Sequence, residues 1–145
     1  MTHPCRPIYI LLDDPRVLRV TLVILRKKGF VDLNLGQVLC QNLLDVPPLR
    51  RSTLASEEVQ RIVRPIRQPL FIWGIDALFQ RELSLNVPQL IDRVARRTPT
   101  TVVAWPGYLA NSMISYAAPG HSDHRTWPAS GITFLTDPRE IPGNP

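Results

Sequence analysis

Five short runs of aliphatic, β-branched and aromatic residues, at 8–12, 31–35, 70–73, 101–105 and 131–135, punctuate the chain, each bounded by turn-forming residues. The intervals between them are too long for hairpins, and three of those intervals carry helical patterns. Strands that alternate with helices bury both faces most readily as a parallel sheet covered on each side. The predicted fold is therefore a three-layer α/β domain with a parallel sheet of about five strands.

The helical patterns have recognisable ends. Pro15 suits a first helical turn and opens a helix over 15–28, with Arg26, Lys27 and Lys28 at the negative end of the dipole and Gly29 as the stop. Over 56–64, Val59, Ile62 and Val63 share one face, with Ser56 as the expected cap and Pro65 beyond the end. Over 88–97, Leu90, Ile91, Val94 and Ala95 form one stripe, while Asp92, Arg93, Arg96 and Arg97 face elsewhere. Most of the 15 prolines stand between elements; Pro138, Pro142, Gly143 and Pro145 predict a flexible tail at 138–145 after a single domain at 1–137.

A chain of 145 residues with 44% hydrophobic and 20% charged residues has the balance of one soluble domain with its own core. No charged-then-apolar leader opens it and no apolar run reaches the roughly 20 residues that cross a bilayer, so a cytoplasmic location without membrane contact is expected. Cys5 and Cys40 lack metal or redox spacing and are expected to be reduced thiols. Eleven of the 17 basic residues but only half of the 12 acidic ones lie in residues 1–67, so the formal excess of +5 belongs to the first half. A positive field of that kind suits a polyanion or an acidic partner.

The stretch 9–30 has the outline of a phosphate-binding P-loop: a strand, a loop and a helix. A working loop, G-x-x-x-x-G-K-[ST], needs glycines so that backbone N–H groups can surround phosphate oxygens, a lysine to neutralise charge and a hydroxyl for magnesium. Here the stretch reads Asp14-Pro15-Arg16-Val17-Leu18-Arg19-Val20-Thr21, where only Thr21 keeps a matching type and Asp13 and Asp14 repel anions. Asp14, Arg16, Arg19 and Thr21 are therefore candidate remnants of a nucleotide site. Asp76, after the apolar run 70–73, joins them in the place of a magnesium-holding Walker B aspartate, but Ala77 follows it where a hydrolysing enzyme carries a glutamate base. An aspartate there also caps a following helix, and capping is the expectation for Asp76. His121, Asp123 and His124 share one loop but fall short of the four ligands of a structural zinc site, so no metal is expected. No serine or cysteine stands in a nucleophile elbow.

Taken in order, "DLNLGQVLCQNLLDVPPLRR", "LFIWGIDALFQRELSLNVPQLIDRVARR", "TVVAWPG" and "ISYAAPGHSDHR" resemble the BrxF family, the small P-loop-containing component of type 3 BREX phage-exclusion systems. The resemblance spans about residues 8–135. It implies an ASCE/AAA-type P-loop NTPase-like core and a defence role beside larger ATPases, a methyltransferase and an alkaline-phosphatase-like protein. The chain departs from the family at residues 13–21, so the expectation is a degenerate nucleotide site and a non-catalytic or weakly nucleotide-binding component that works through homo- or hetero-oligomeric assembly. No cofactor is expected, with Mg-ATP as the disfavoured exception, and Arg93, Arg96 and Arg97 are the expected interface. Two alternatives come from other classes. One is a DNA-binding module using Arg50, Arg51, Arg61, Arg64, Arg67 and the arginines of 93–97; the other is an active NTPase with an unusual loop.

Overall fold

A computed structural model of the chain describes residues 6–11, 14–117, 120, 124–129 and 131–142. In chain order the main elements are β1 (Ile8–Leu11), α1 (Pro15–Lys27), β2 (Val31–Asn34), α2 (Leu35–Leu43), α3 (Pro48–Val63), β3 (Leu70–Trp73), α4 (Val87–Ala95) and β4 (Thr101–Trp105). Three short strands follow, β5 (Tyr108–Ala110), β6 (Met113–Tyr116) and β7 (Arg125–Pro128), and then β8 (Thr133–Leu135). Strands β2, β3, β4, β1 and β8, in that spatial order, make one all-parallel sheet, with Tyr9 opposite Val103 and Leu70 opposite Thr101.

Period-two alternation along these strands feeds two cores. Tyr9, Leu70, Ile72, Val103 and Trp105 point to the face covered by α2, α3 and α4, whose buried stripes include Leu35, Leu39 and Leu43, then Ala55, Val59 and Val63, then Leu90, Ile91 and Val94. Ile10, Phe71, Val102 and Ala104 point the other way, onto Leu25 and Leu18 of α1, Phe30 and Ile141. The result is the expected three-layer α/β architecture. Strands β5, β6 and β7 form a separate antiparallel sheet that packs on the first core through Ile114, Tyr116 and Trp127.

Three sequence expectations change. Leu35 is the first residue of α2 and not the last of a strand, because the Asn34 side chain accepts a hydrogen bond from Gln37 N and caps the helix. Ser56 lies inside α3, which starts eight residues earlier at Pro48, a proline at the first helical turn that needs no N–H partner. Residues 138–141 are packed and not a loose tail: Pro138 and Ile141 are buried, Asp137 caps a 3-10 turn at Pro138–Glu140, and Lys28 Nζ donates to the carbonyls of Arg139 and Ile141. Leu12 and residues 143–145 lie outside the described residues. No helix among the described residues is long and apolar enough to cross a membrane.

Burial of Tyr9 makes a testable pH effect. Its ring is 1% exposed; desolvation first, and the Asp92 carboxylate second, raise its phenol far above the ordinary value of about 10. The native state holds the proton more tightly than the unfolded chain, so this contribution to stability is complete below about pH 10 and is lost as pH rises further. Alkaline unfolding is expected to set in near pH 10 and to be less steep in Tyr9→Phe. Equal steepness in the two proteins, followed by circular dichroism, would show that Tyr9 is not the group responsible.

Candidate functional site

The strand order creates one crevice. From β1 the chain leaves through α1 onto one face of the sheet, whereas from the adjacent β4 it leaves through the small antiparallel sheet onto the other. Where neighbouring connections diverge in this way, the carboxyl ends of the strands border a ligand-sized gap. That gap is a cleft of about 310 Å³, lined by Asp14, Pro15 and Leu18 from the start of α1, Trp73 to Asp76 from the end of β3, and Ala104 and Pro106 from β4.

Local structure at the cleft follows from its residues. Asp14 is the N-cap of α1: its carboxylate accepts the Arg16 backbone N–H at 2.9 Å. Pro15 next to it has no N–H to offer. The helix end that would face a phosphate is thus closed by the chain's own anion. Across the cleft, Gly74 takes a left-handed conformation (φ +66°), and a Cβ there would come within 2.2 Å of the Asn34 side-chain oxygen, so glycine is required where β3 turns. Asp76 sits exposed in the first turn of a 3-10 helix, Ile75–Phe79, whose cap is Gly74. Its carboxylate bonds to no described residue, which corrects the expectation that it caps a helix.

The structure gathers only part of the predicted remnant. Asp14 and Asp76 share the cleft. Thr21 does not: α1 begins at Pro15, so Thr21 lies nearly two turns in, fully buried, with Oγ1 donating to the Val17 carbonyl at 2.8 Å. Arg16 and Arg19 are exposed on α1 outside the cleft lining, Arg16 bordering a shallow groove with Val17, Val20 and Asp137 on the helix's outer side. Among the described residues lining the cleft there are two carboxylates and no cation.

The basic residues divide by task. Arg51 is half-buried and donates to the carbonyls of Val46 and Leu44, closing the end of α2, so it is not available as a free surface charge. Arg61 pairs with Glu58 at 3.0 Å. Arg50, Arg64, Arg67, Arg93, Arg96 and Arg97 are exposed. Arg61 and Arg64 of α3 meet Arg93 of α4 and Arg97 just beyond it across a groove of about 410 Å³, whose lining includes Gln60, a residue the sequence offered no reason to single out. His124 Nδ1 lies 3.0 Å from the Ala117 carbonyl; His121 and Asp123 lie outside the described residues. No group of three or more potential metal ligands occurs among the described residues.

The Trp-Pro-Gly ending of β4 has a structural task. Trp105 is fully buried and its indole N–H donates to the Ser115 carbonyl at 2.9 Å, tying β4 to β6. Gly107 passes so close that a Cβ would fall 1.7 Å from that same oxygen. Compared with family models, curated proteins and solved structures, the chain matches none.

Proposed function

We propose that this chain is a P-loop-type α/β domain without phosphate chemistry, serving as a non-catalytic component of a bacterial anti-phage assembly of the BREX kind through contacts with larger defence proteins. The observation that carries the non-catalytic half is the closed end of α1. A phosphate site of this type works by aiming free N–H groups and a lysine at the anion. Here Asp14 occupies the Arg16 N–H, Pro15 contributes none, and Asp76 adds a second carboxylate to the same cleft. A nucleotide entering it would meet like charge and few donors. Ala77 in place of a glutamate leaves an attacking water without a base.

Support for the P-loop lineage comes from the strand order, since β4 lies between β1, the strand that leads into the loop before α1, and β3, the strand that leads to Asp76, as the ASCE reading requires. Support for the defence setting comes from the sequence resemblance to the BrxF family.

The test joins calorimetric titration of Mg-ATP, a phosphate-release assay and co-purification with the products of neighbouring genes. The expected result is affinity weaker than about 1 mM, no turnover, and recovery of at least one larger defence protein. Micromolar binding, or turnover abolished by Asp76→Ala, would overturn the non-catalytic half. A strict monomer that retrieves none of those proteins would sink the assembly half.

A further inference from the structure

We infer that the groove between α3 and α4 binds the phosphodiester backbone of a nucleic acid, independently of sequence. The groove lies on the face of the sheet away from α1, so the inference stands apart from the fate of the nucleotide cleft.

The main groove is lined by polar and charged residues, whose aliphatic stems also face it: Arg61, Arg64, Arg93 and Arg97 with Ser56, Glu57 and Gln60. Four guanidinium groups against one carboxylate leave it strongly positive. Arg61 spends one of its N–H donors on Glu58, but the side chains of Arg64, Arg93 and Arg97 bond to no described residue. These are fixed, forked donors of the geometry that suits phosphate oxygens.

A second, independent observation points to a ligand. The amide nitrogen and oxygen of Gln60 are buried, yet neither has a hydrogen-bond partner among the described residues. Buried polar groups in folded proteins are nearly always paired, so this enclosed amide gains a partner only when its side chain turns outward into the groove. The Gln60 amide can donate to a phosphate oxygen while the arginines neutralise the charge.

The character of the lining separates the two polyanions that could fill it. Protein segments are held mainly by aromatic and aliphatic anchors seated in pockets, with charge at the rim. The main groove has no such anchor and no pocket for one. Phosphate backbones are held by arginine together with serine, asparagine and glutamine side chains. The adjoining hollow of about 210 Å³ continues the track with Ser84, Asn86 and Gln89 beside Leu85 and Leu90, which are buried and offer no deep seat for an anchor, and it shares Ser56 and Arg93 with the main groove. With no aromatic side chain for base stacking in either part, recognition stops at the backbone.

The experiment measures fluorescence anisotropy of the full chain with labelled DNA duplexes of about 20 base pairs, one mixed in sequence and one scrambled, over a salt series. Both duplexes are expected to bind with the same affinity and to weaken steeply with salt. Arg64→Glu with Arg97→Glu is expected to weaken binding roughly tenfold or more and to flatten the salt slope by about two, one for each phosphate no longer neutralised. Gln60→Leu is expected to weaken it about threefold with the thermal midpoint unchanged or raised, because an unpaired amide is removed from a buried position. Wild-type affinity in either variant, with circular dichroism showing both folded, would overturn the inference. So would polyglutamate displacing the duplex at equal charge concentration, which would identify an acidic protein segment as the occupant.

Discussion

Trp105→Ala is expected to remove most of the stability of the fold. The indole is fully buried, with its ring centre 5.4 Å from Tyr9, 5.3 Å from Phe79 and 5.7 Å from Trp127, and Tyr116 stacks on Phe79 at 3.9 Å to close the cluster. Emptying such a site costs about 3–5 kcal/mol, because surrounding side chains refill the cavity only in part. The Ser115 carbonyl also loses the indole hydrogen bond, which adds about 0.5–1.5 kcal/mol. Against a total of about 5–15 kcal/mol for a domain, that leaves a chain near its unfolding midpoint at ambient temperature. Urea titration followed by near-ultraviolet circular dichroism checks it. Trp105→Phe should fall between, keeping an aromatic ring but losing the indole hydrogen bond. A loss below about 1.5 kcal/mol in Trp105→Ala, the range of tolerated volume-conserving swaps, would mean that the cluster is not the keystone of this core.

Gly107→Ala is expected to damage the same junction from the other side. Its Cβ would sit 1.7 Å from the Ser115 oxygen, a backbone atom that cannot rotate out of the way, so β6 must shift away from β4 or Gly107 away from both. Overpacking of this kind costs about 1–3 kcal/mol, and an approach this short belongs at the upper end. For a chain of this size the thermal midpoint should fall by about 6–12 °C. Hydrogen exchange should quicken first in β5, β6 and β7, whose attachment to the main sheet is loosened, before it quickens in β3 and β4. Because Trp105 and Gly107 act on one carbonyl, the double variant Trp105→Phe, Gly107→Ala should lose less than the two separate losses combined. Strict additivity would show that the two residues hold different things.

Much of the sheet could be read from sequence because buried parallel strands are nearly continuous apolar runs: Leu70–Trp73 and Thr101–Trp105 match their predicted limits. Helix α2 was hidden by its own first residue. Leu35 extends the apolar run of β2, and only the Asn34 cap marks the change of period, although Leu35, Leu39 and Leu43 then recur at helical spacing. Pro47 and Pro48 look like a linker when taken as a pair, yet the second of them opens α3. The three-residue strand β5 and the four-residue strands β6 and β7 are too short for periodicity to reveal their pairing, whereas β8 lies within the run 131–135 and joins the parallel sheet as expected. At the cleft, Asp14 and Asp76 could be brought together on paper because each follows a strand. Thr21 could not be placed without counting turns from Pro15. The arginine groove depends on how two helices distant in sequence pack, and no local pattern of Arg64 or Arg97 carries that information.

The cap on α1 also bears on whether a phosphate loop could arise at this helix end. Replacing Asp14 by glycine, a first step toward a phosphate loop, unties the Arg16 N–H and costs helix stability while no lysine yet waits to hold an anion. A lysine introduced at position 20, where the phosphate-loop pattern puts it, would stand well inside α1 and outside the lining of the cleft. Pro15 must change as well before its position can offer an N–H at all. Each single substitution is therefore neutral or harmful until the others are present. While its own carboxylate closes this helix end, no single substitution opens an anion site there, whereas the outer surfaces are free to change.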